Sequence, residues 1–265
     1  MKYRKALEEL YSRYNRREFV HPDPLEFLYR YSDPGDREVA GLVAATLALG
    51  RVATILASVG RVLEALGPHP AAFLQDARED DLRRRLAGFR HRFLAGENVA
   101  AMLWGVRRIR GRYGTLGAFF RAAVRPEDET VLPAISVLVC EISSAGDCGR
   151  LLADPRAKSA CKRLNLYLRW MVRRDEVDPG GWDGVRPAQL VVPLEVHMHR
   201  IARALGLTQR RQADCRTALE VTEAFRRISP EDPVKYDFAL TRLGIRDDTD
   251  LPAFLARCGV SRGRA

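Results

Sequence analysis

Between Val39 and Gly50 the chain reads VAGLVAATLALG, a run without one charged side chain. A bilayer-spanning helix needs about 20 apolar residues, so this run is too short to cross a membrane. Its alanines and leucines favour helix, and a helix that is apolar on every side has to be surrounded by other elements. The rest of the sequence offers partners of one kind. Apolar residues recur at helical spacing, and no segment sustains the period-two alternation of β-branched residues that marks a strand. The spacing predicts helices near 2–17, 23–31, 36–49, 52–66, 79–86, 97–112, 115–123, 131–144, 159–173, 193–205, 213–227 and 232–243, and an all-α fold class. Residues 1–265 are read as a single helical domain, long enough to bury a sizeable core.

Local punctuation supports these boundaries. Asp36 is predicted to cap the Ala-rich helix and Ser159 the helix that follows it, while SPEDP at 229–233 puts Pro233 in the first turn of the last long helix. Gly206 and Gly244 stand where helix C-terminal glycines belong. The least regular stretch, 173–192, is a long loop between two helices, and such loops are often functional. The N-terminal segment alternates charge with Leu7, Leu10, Tyr11 and Tyr14 and lacks the apolar core of a signal peptide, so a cytoplasmic location is the expectation.

Cysteines 140, 148, 161, 215 and 258 form an odd set without a C-x-x-C pair, which signals neither a disulfide framework nor a zinc or iron–sulfur site. His197 and His199 resemble a metal pair, but residues two apart on a helix point about 200° apart. No metal and no cofactor are expected.

The net charge of +10 favours an acidic partner, with nucleic acid ahead of a membrane surface. From Arg83 to Arg125 there are eleven arginines and one acid, Glu97, so this segment alone equals the whole net charge. Within it Phe89, His91, Phe93, Trp104 and Tyr113 are interleaved with arginine, a pattern that suits phosphate contact beside base stacking. The same pattern also suits core aromatics beneath a solvated basic face.

Only five of the 44 basic residues are lysine: Lys2, Lys5, Lys158, Lys162 and Lys235. Arginine keeps its proton, whereas a lysine amine can be tuned to act as a base or nucleophile. In SACKRLNLYLRWMV, Leu164, Tyr167, Leu168 and Met171 form the core stripe of a helix, and Lys162, Leu166, Arg169 and Arg173 line the opposite face. That places Lys162 in a first turn, on a basic face outside the core. Beyond the loop, VVPLEVHMHRIARALGL carries Glu195 at the start of a second helix whose apolar stripe is Met198, Ile201, Ala202 and Leu205. A carboxylate there is favoured by the helix dipole alone, typically by about 0.3–1 kcal/mol. Lys235 is read as an ordinary helix ion pair with neighbouring acids.

A lysine early in one helix, a loop, and then a proline-containing approach to an acid followed by V-H-x-H-R is similar to the helix-hairpin-helix DNA glycosylase superfamily. The 33 residues from Lys162 to Glu195 resemble its archaeal oxidised-guanine branch. The stretches SDPGDREVAGLVAATLALGRV, GFRHRF, SACKRLNLYLRWMVRRDEVDPGGW, VVPLEVHMHRIARALGL and PEDPVKYDFALTRLGI also resemble a bacterial family of unassigned function placed near that superfamily. The superfamily resemblance implies a two-lobed helical fold, a monomer, double-stranded DNA as partner, and base excision with abasic-site lyase activity on an oxidised purine such as 8-oxoguanine. It implies catalysis by Lys162 and Glu195, the lysine amine being made reactive by Arg169, Arg173 and partial burial. DNA contacts are assigned to Arg83, Arg84, Arg90, Arg92, Arg107, Arg108, Arg169, Arg173, His197 and Arg200.

The chain departs from the superfamily pattern in three places. LLADPRAKSACK replaces the Gly-rich hairpin turn before the lysine, Glu195 stands where the superfamily has aspartate, and no C-terminal cysteine cluster is present. Two further readings therefore stay open: a non-catalytic helical nucleic-acid-binding protein on the same scaffold, and a structural helical protein whose arginines solubilise it.

Overall fold

The computed structural model describes residues 3–246 and 249–260. The described residues fold as helices joined by turns and a few longer loops, with one two-stranded hairpin. In order these are α1 (Arg4–Tyr14), α2 (Pro34–Thr46), α3 (Val52–Leu66), α4 (Pro70–Asp76), α5 (Glu79–Arg85), β1 (Arg90–His91) and β2 (Leu94–Ala95). There follow α6 (Gly96–Tyr113), α7 (Leu116–Ala123), α8 (Leu132–Ser143), α9 (Lys162–Val172), α10 (Val196–Ala204), α11 (Cys215–Arg226), α12 (Asp237–Ile245) and α13 (Leu251–Arg257). The all-α expectation is met. Helices α4 and α13 were not predicted, the 23–31 segment is the 3-10 helix Pro24–Arg30, and GFRHRF forms the hairpin.

Helix α2 is the hub, buried along nearly its whole length as its composition requires. It packs against the Pro24–Arg30 turn, α3, α4 and α9. Its cap is Asp33, whose carboxylate accepts from the Asp36 amide at 2.8 Å, with Pro34 opening the first turn. Asp36, the predicted cap, instead accepts from the Ala71 amide at 2.8 Å and so fastens α4 to α2. At the other end, Arg163 donates to the Thr46 carbonyl at 2.6 Å, satisfying a terminal carbonyl of α2 from the first turn of α9.

Glu38, within α2, is buried and accepts four hydrogen bonds: from the Leu116 and Gly117 amides at the start of α7, Trp182 Nε1 and the Arg110 guanidinium. Burial raises its pKa, and these donors oppose that rise. The 173–192 loop is tied down by the same residue. Trp182 lies 7% exposed against Phe120 and Tyr167, and the Gly180 and Trp182 amides donate to the carbonyls of Trp170 and Met171. This loop packs as part of the core.

Helices α6 and α8 cross closely at Gly105, where a Cβ would stand 2.7 Å from the backbone of Ile142. Gly105→Ala is therefore expected to force the two helices apart and cost about 1–3 kcal/mol, the usual range for overpacking. Denaturant unfolding at constant m-value checks this.

Helix starts depart from the predictions where side chains were assigned to caps. Helix α9 begins at Lys162 after Cys161, whose φ of 47° is left-handed, and Ser159 instead holds the Cys161 amide at 3.1 Å. Helix α10 begins at Val196, so Pro193 lies before it; α12 begins at Asp237, so Pro233 lies in the preceding turns. Gly206 does follow α10 with φ +74°. Gly244 is inside α12, and its missing side chain makes room for His197, whose Nδ1 would stand 2.5 Å from a Cβ there. Among the described residues, no helix is long and apolar enough to cross a membrane.

Candidate active site

Five parts of the fold meet around a cavity of about 300 Å³: the entry to the Pro24–Arg30 turn, the turn between α2 and α3 with the start of α3, the first turns of α9, the approach to α10, and the inward face of α12. Lys162, Glu195, Asp237, Asp23, Arg169 and His197 all line it, with Gly50, Val52 and Ile245 among its apolar wall. The volume falls at the lower end of the range for small-molecule sites, about 300–1,000 Å³.

Lys162 is the first residue of α9 and is half-buried on the cavity wall. Burial lowers its pKa, and Arg163 adds to this; the carboxylates of Glu195, Asp23 and Asp237 act the other way. The two arginines expected to make the amine reactive are not what lowers it.

Glu195 is the N-cap residue of α10, with extended backbone and its carbonyl accepting from the His199 amide at 2.8 Å. An acidic N-cap ordinarily accepts from amides in the first turn of its own helix. Glu195 makes no such side-chain bond, and its Oε1 is buried without a partner. Buried polar atoms are almost always paired, so a carboxylate held in this way is not explained by helix capping.

The three carboxylates differ in what they have. Asp23 is fully engaged: one oxygen accepts from the Leu25 amide at 3.0 Å and the other from Arg242 at 2.8 Å. Asp237 gives one oxygen to Arg169, while its Oδ1 is buried and unpartnered. Burial pushes the Asp237 carboxyl up to about 6, with Glu195 and Asp178 adding to the rise and Arg169 opposing it. Neither Asp23 nor Asp237 was predicted. A signal existed for Asp237, an acid among Tyr236, Phe238, Ala239 and Leu240 in a helix with little polar surface.

A folded-state pKa above the unfolded one means that the folded protein holds the proton more tightly. The resulting stabilisation is complete below the unfolded value of about 3.8 and is lost as pH rises through about 6. Thermal melts of wild type and Asp237→Asn between pH 4 and 7.5 are expected to converge on the asparagine variant's favour at the upper end, since asparagine is neutral throughout. A variant that loses ground as pH rises would contradict this assignment.

Arg169 and Arg173 require correction. Their face of α9 is not open: both are buried, at 3% and 4% exposure. Asp178, itself fully buried, bridges them, and Asp237 completes the set around Arg169 as Asp175 and Asp232 do around Arg173. Neither guanidinium is available to a DNA phosphate. His197 likewise turns inward, against Gly244, with its Nδ1 buried and unpartnered. His199 faces the Arg210 carbonyl at 3.0 Å, so the two histidines serve different neighbours.

The remaining predicted DNA-facing side chains lie at the surface. Arg83 and Arg84 are exposed and paired within α5 to Glu79 and Asp81, and Arg90, Arg92, Arg108 and Arg200 are exposed. Arg107 is half-buried, with its guanidinium 4.9 Å from the Trp104 ring centre. Of the interleaved aromatics, Phe89 and His91 are core, His91 being held by Ser58 at 2.9 Å and the Leu49 carbonyl at 3.0 Å. Phe93, at the tip of the β1–β2 hairpin, is 55% exposed. Lys235 lies before α12 and pairs with Glu8 of α1 at 2.8 Å, not with the acids near it in sequence.

No curated protein and no solved structure matches this sequence. The family described as a protein of unknown function, DUF2400, matches residues 23–246, which include every residue of the cavity wall named above. The chain belongs to that family.

Proposed function

We propose that the protein is a DNA base-excision glycosylase with abasic-site lyase activity, acting on an oxidised purine such as 8-oxoguanine through a Schiff base at Lys162. The observation that carries this reading is that Lys162, whose amine is lowered by burial, and Glu195, whose carboxylate makes no cap bond to its own helix, line one cavity. Amines are made nucleophilic in this way, by desolvation.

In this reading the exposed arginines meet phosphates of duplex DNA, which here acts as a monomer's partner between two helical lobes. The damaged nucleotide is swung out of the stack into the cavity, at a cost of a few kcal/mol. Lys162 Nζ, deprotonated, attacks the anomeric carbon. The N–C bond forms as the glycosidic bond breaks, and the base leaves with the bonding pair and takes up a proton. Glu195, ionised, faces the positive charge that develops on the sugar. The attached nitrogen then loses a proton, and its lone pair opens the sugar ring: the C1′–O4′ bond breaks, O4′ takes up a proton, and an iminium forms at C1′. The iminium acidifies the neighbouring C–H, and loss of that proton expels the 3′ phosphate. Water finally hydrolyses the imine and frees the lysine. Glutamate is one methylene longer than aspartate, and its N-cap position with a half-buried side chain sets where the carboxylate reaches.

The test is incision of duplex oligonucleotides carrying 8-oxoguanine, with salt-dependent binding measured alongside. Incision by wild type but not by Lys162→Gln, with binding retained by both, is the expected result. Binding without incision by wild type would favour the non-catalytic reading, and absence of binding at low salt would remove DNA as the partner.

A further inference from the structure

Exposed apolar side chains scattered singly over a surface need no explanation, but a group of them in one place does. Among the described residues six large apolar side chains are exposed, and four of them gather around one feature. Val52 and Ile245 line the cavity and, being exposed, stand at its opening. Val196 directly follows Glu195 at the start of α10. The fourth is Phe93, at the tip of the β1–β2 hairpin.

Contacts on both sides of the hairpin tie Phe93 to the cavity wall. On one side His91 of β1 is held by Ser58 of α3 and by the Leu49 carbonyl, and the Arg92 guanidinium lies over Gly50, where a Cβ would stand 2.9 Å from it. Gly50 is itself part of the wall. Arg92 has a left-handed φ of 55°, uncommon for arginine, so it is held there against its local backbone preference. On the other side the Arg150 guanidinium stands 5.5 Å from the Phe93 ring centre, and the Arg150 carbonyl accepts from Arg163, the residue after Lys162. Arg51 beside Gly50, Arg90 and Arg92 of the hairpin, and Arg150 are all exposed. Among the described residues none of these four has a carboxylate partner, whereas Arg83 and Arg84 are paired within α5.

An exposed ring flanked by uncompensated cations, beside a cavity, matches a polyanion that offers flat apolar faces. We propose that Phe93 enters the base stack of duplex DNA and fills the gap left by the nucleotide that occupies the cavity, with Arg92 and Arg150 on the phosphates to either side. This rests on the glycosylase reading and deepens it, by naming what holds the duplex open. Extrusion leaves a vacancy one base thick, and return of the nucleotide to it competes with chemistry. An apolar side chain placed in the stack blocks that return, as in proteins that wedge base steps apart. A phenyl ring stacks on any flanking base and needs no hydrogen bond from it. The buried His91 and Phe89 fix the base of the hairpin, so the ring is presented with little ordering left to do on binding. Val52, Val196 and Ile245 then meet the apolar faces of sugar and bases beside the extruded nucleotide.

The experiment measures binding of the full-length protein, at one fixed salt concentration, to an intact duplex and to the same duplex carrying a tetrahydrofuran abasic analogue. Incision of the 8-oxoguanine duplex is measured alongside. Wild type is expected to favour the tetrahydrofuran duplex, where the gap already exists. Phe93→Ala is expected to lose about 10-fold of that preference while binding the intact duplex as before, and to incise the 8-oxoguanine duplex about 10- to 100-fold more slowly. On a single-stranded abasic oligonucleotide, where no stack has to be held open, it is expected to be trapped by borohydride at the wild-type rate. Phe93→Trp restores the preference, and Arg92→Ala weakens binding to both duplexes alike. An unchanged preference in Phe93→Ala, with incision intact, overturns the proposal and leaves the glycosylase reading standing. A preference that depends on Phe93 without incision by wild type supports the proposal and overturns the catalytic reading. No binding to either duplex at low salt overturns both.

Discussion

Replacing Asp178 by alanine is expected to destabilise the fold by about 3–5 kcal/mol, because it strands two buried guanidinium groups that share one carboxylate. Asp178 is 0% exposed and meets Arg169 through one oxygen and Arg173 through the other. Its own burial raises its pKa, while the two arginines hold it down. Removing it leaves Arg169 with Asp237 alone and Arg173 with Asp175 and Asp232 nearer the surface. At about 2–4 °C per kcal/mol for a chain of this size, the melting temperature should fall by about 6–20 °C. A melting temperature within about 2 °C of wild type would mean that the two guanidinium groups find solvent or other partners.

The second large effect is at Lys162. Lys162→Gln and Lys162→Arg are both expected to abolish adduct formation, glutamine for want of an amine and arginine because it keeps its proton. The stability expectation has the opposite sign. Burial disfavours the charged lysine in the folded state, so the glutamine variant should melt no lower than wild type at neutral pH. A functional group that costs stability is the usual signature of a site held for chemistry. A glutamine variant that unfolds several degrees earlier would instead make Lys162 a structural cation for its three carboxylates.

Helix periodicity made most of the fold legible. The core stripe of α9, Leu164, Tyr167, Leu168 and Met171, is buried as its spacing requires, and the Ala-rich run became the central helix. The same helical wheel placed Arg169 and Arg173 on a second face and equated that face with solvent. A wheel tells which residues share a side; it does not tell whether another layer covers it. Here the loop bearing Asp178 and the helix bearing Asp237 close over that side, and each acid is separated from its arginine by an amount that no local pattern fixes. Lys162 and Glu195 were brought together by the resemblance to the glycosylase superfamily, and both line the cavity. Asp23 and Asp237 could not, since they reach the cavity from opposite ends of the chain. The caps at Asp33 and Cys161 were missed for a smaller reason: several residues near each helix start could cap it, and the backbone chose among them.

The arginine-rich segment divides in the same way. Its arginines are largely at the surface, but Phe89 and His91 between them are core, so any base stacking by the hairpin falls to Phe93. Interleaving in sequence does not put the two residue types on one surface.

The measurement that bears most directly on the central claim is mass-spectrometric mapping of the adduct formed by borohydride reduction with abasic-site DNA. A single modified peptide bearing the reduced sugar on Lys162 is the predicted result. An adduct on Lys158 or Lys235, or none between pH 5 and 9, would contradict it.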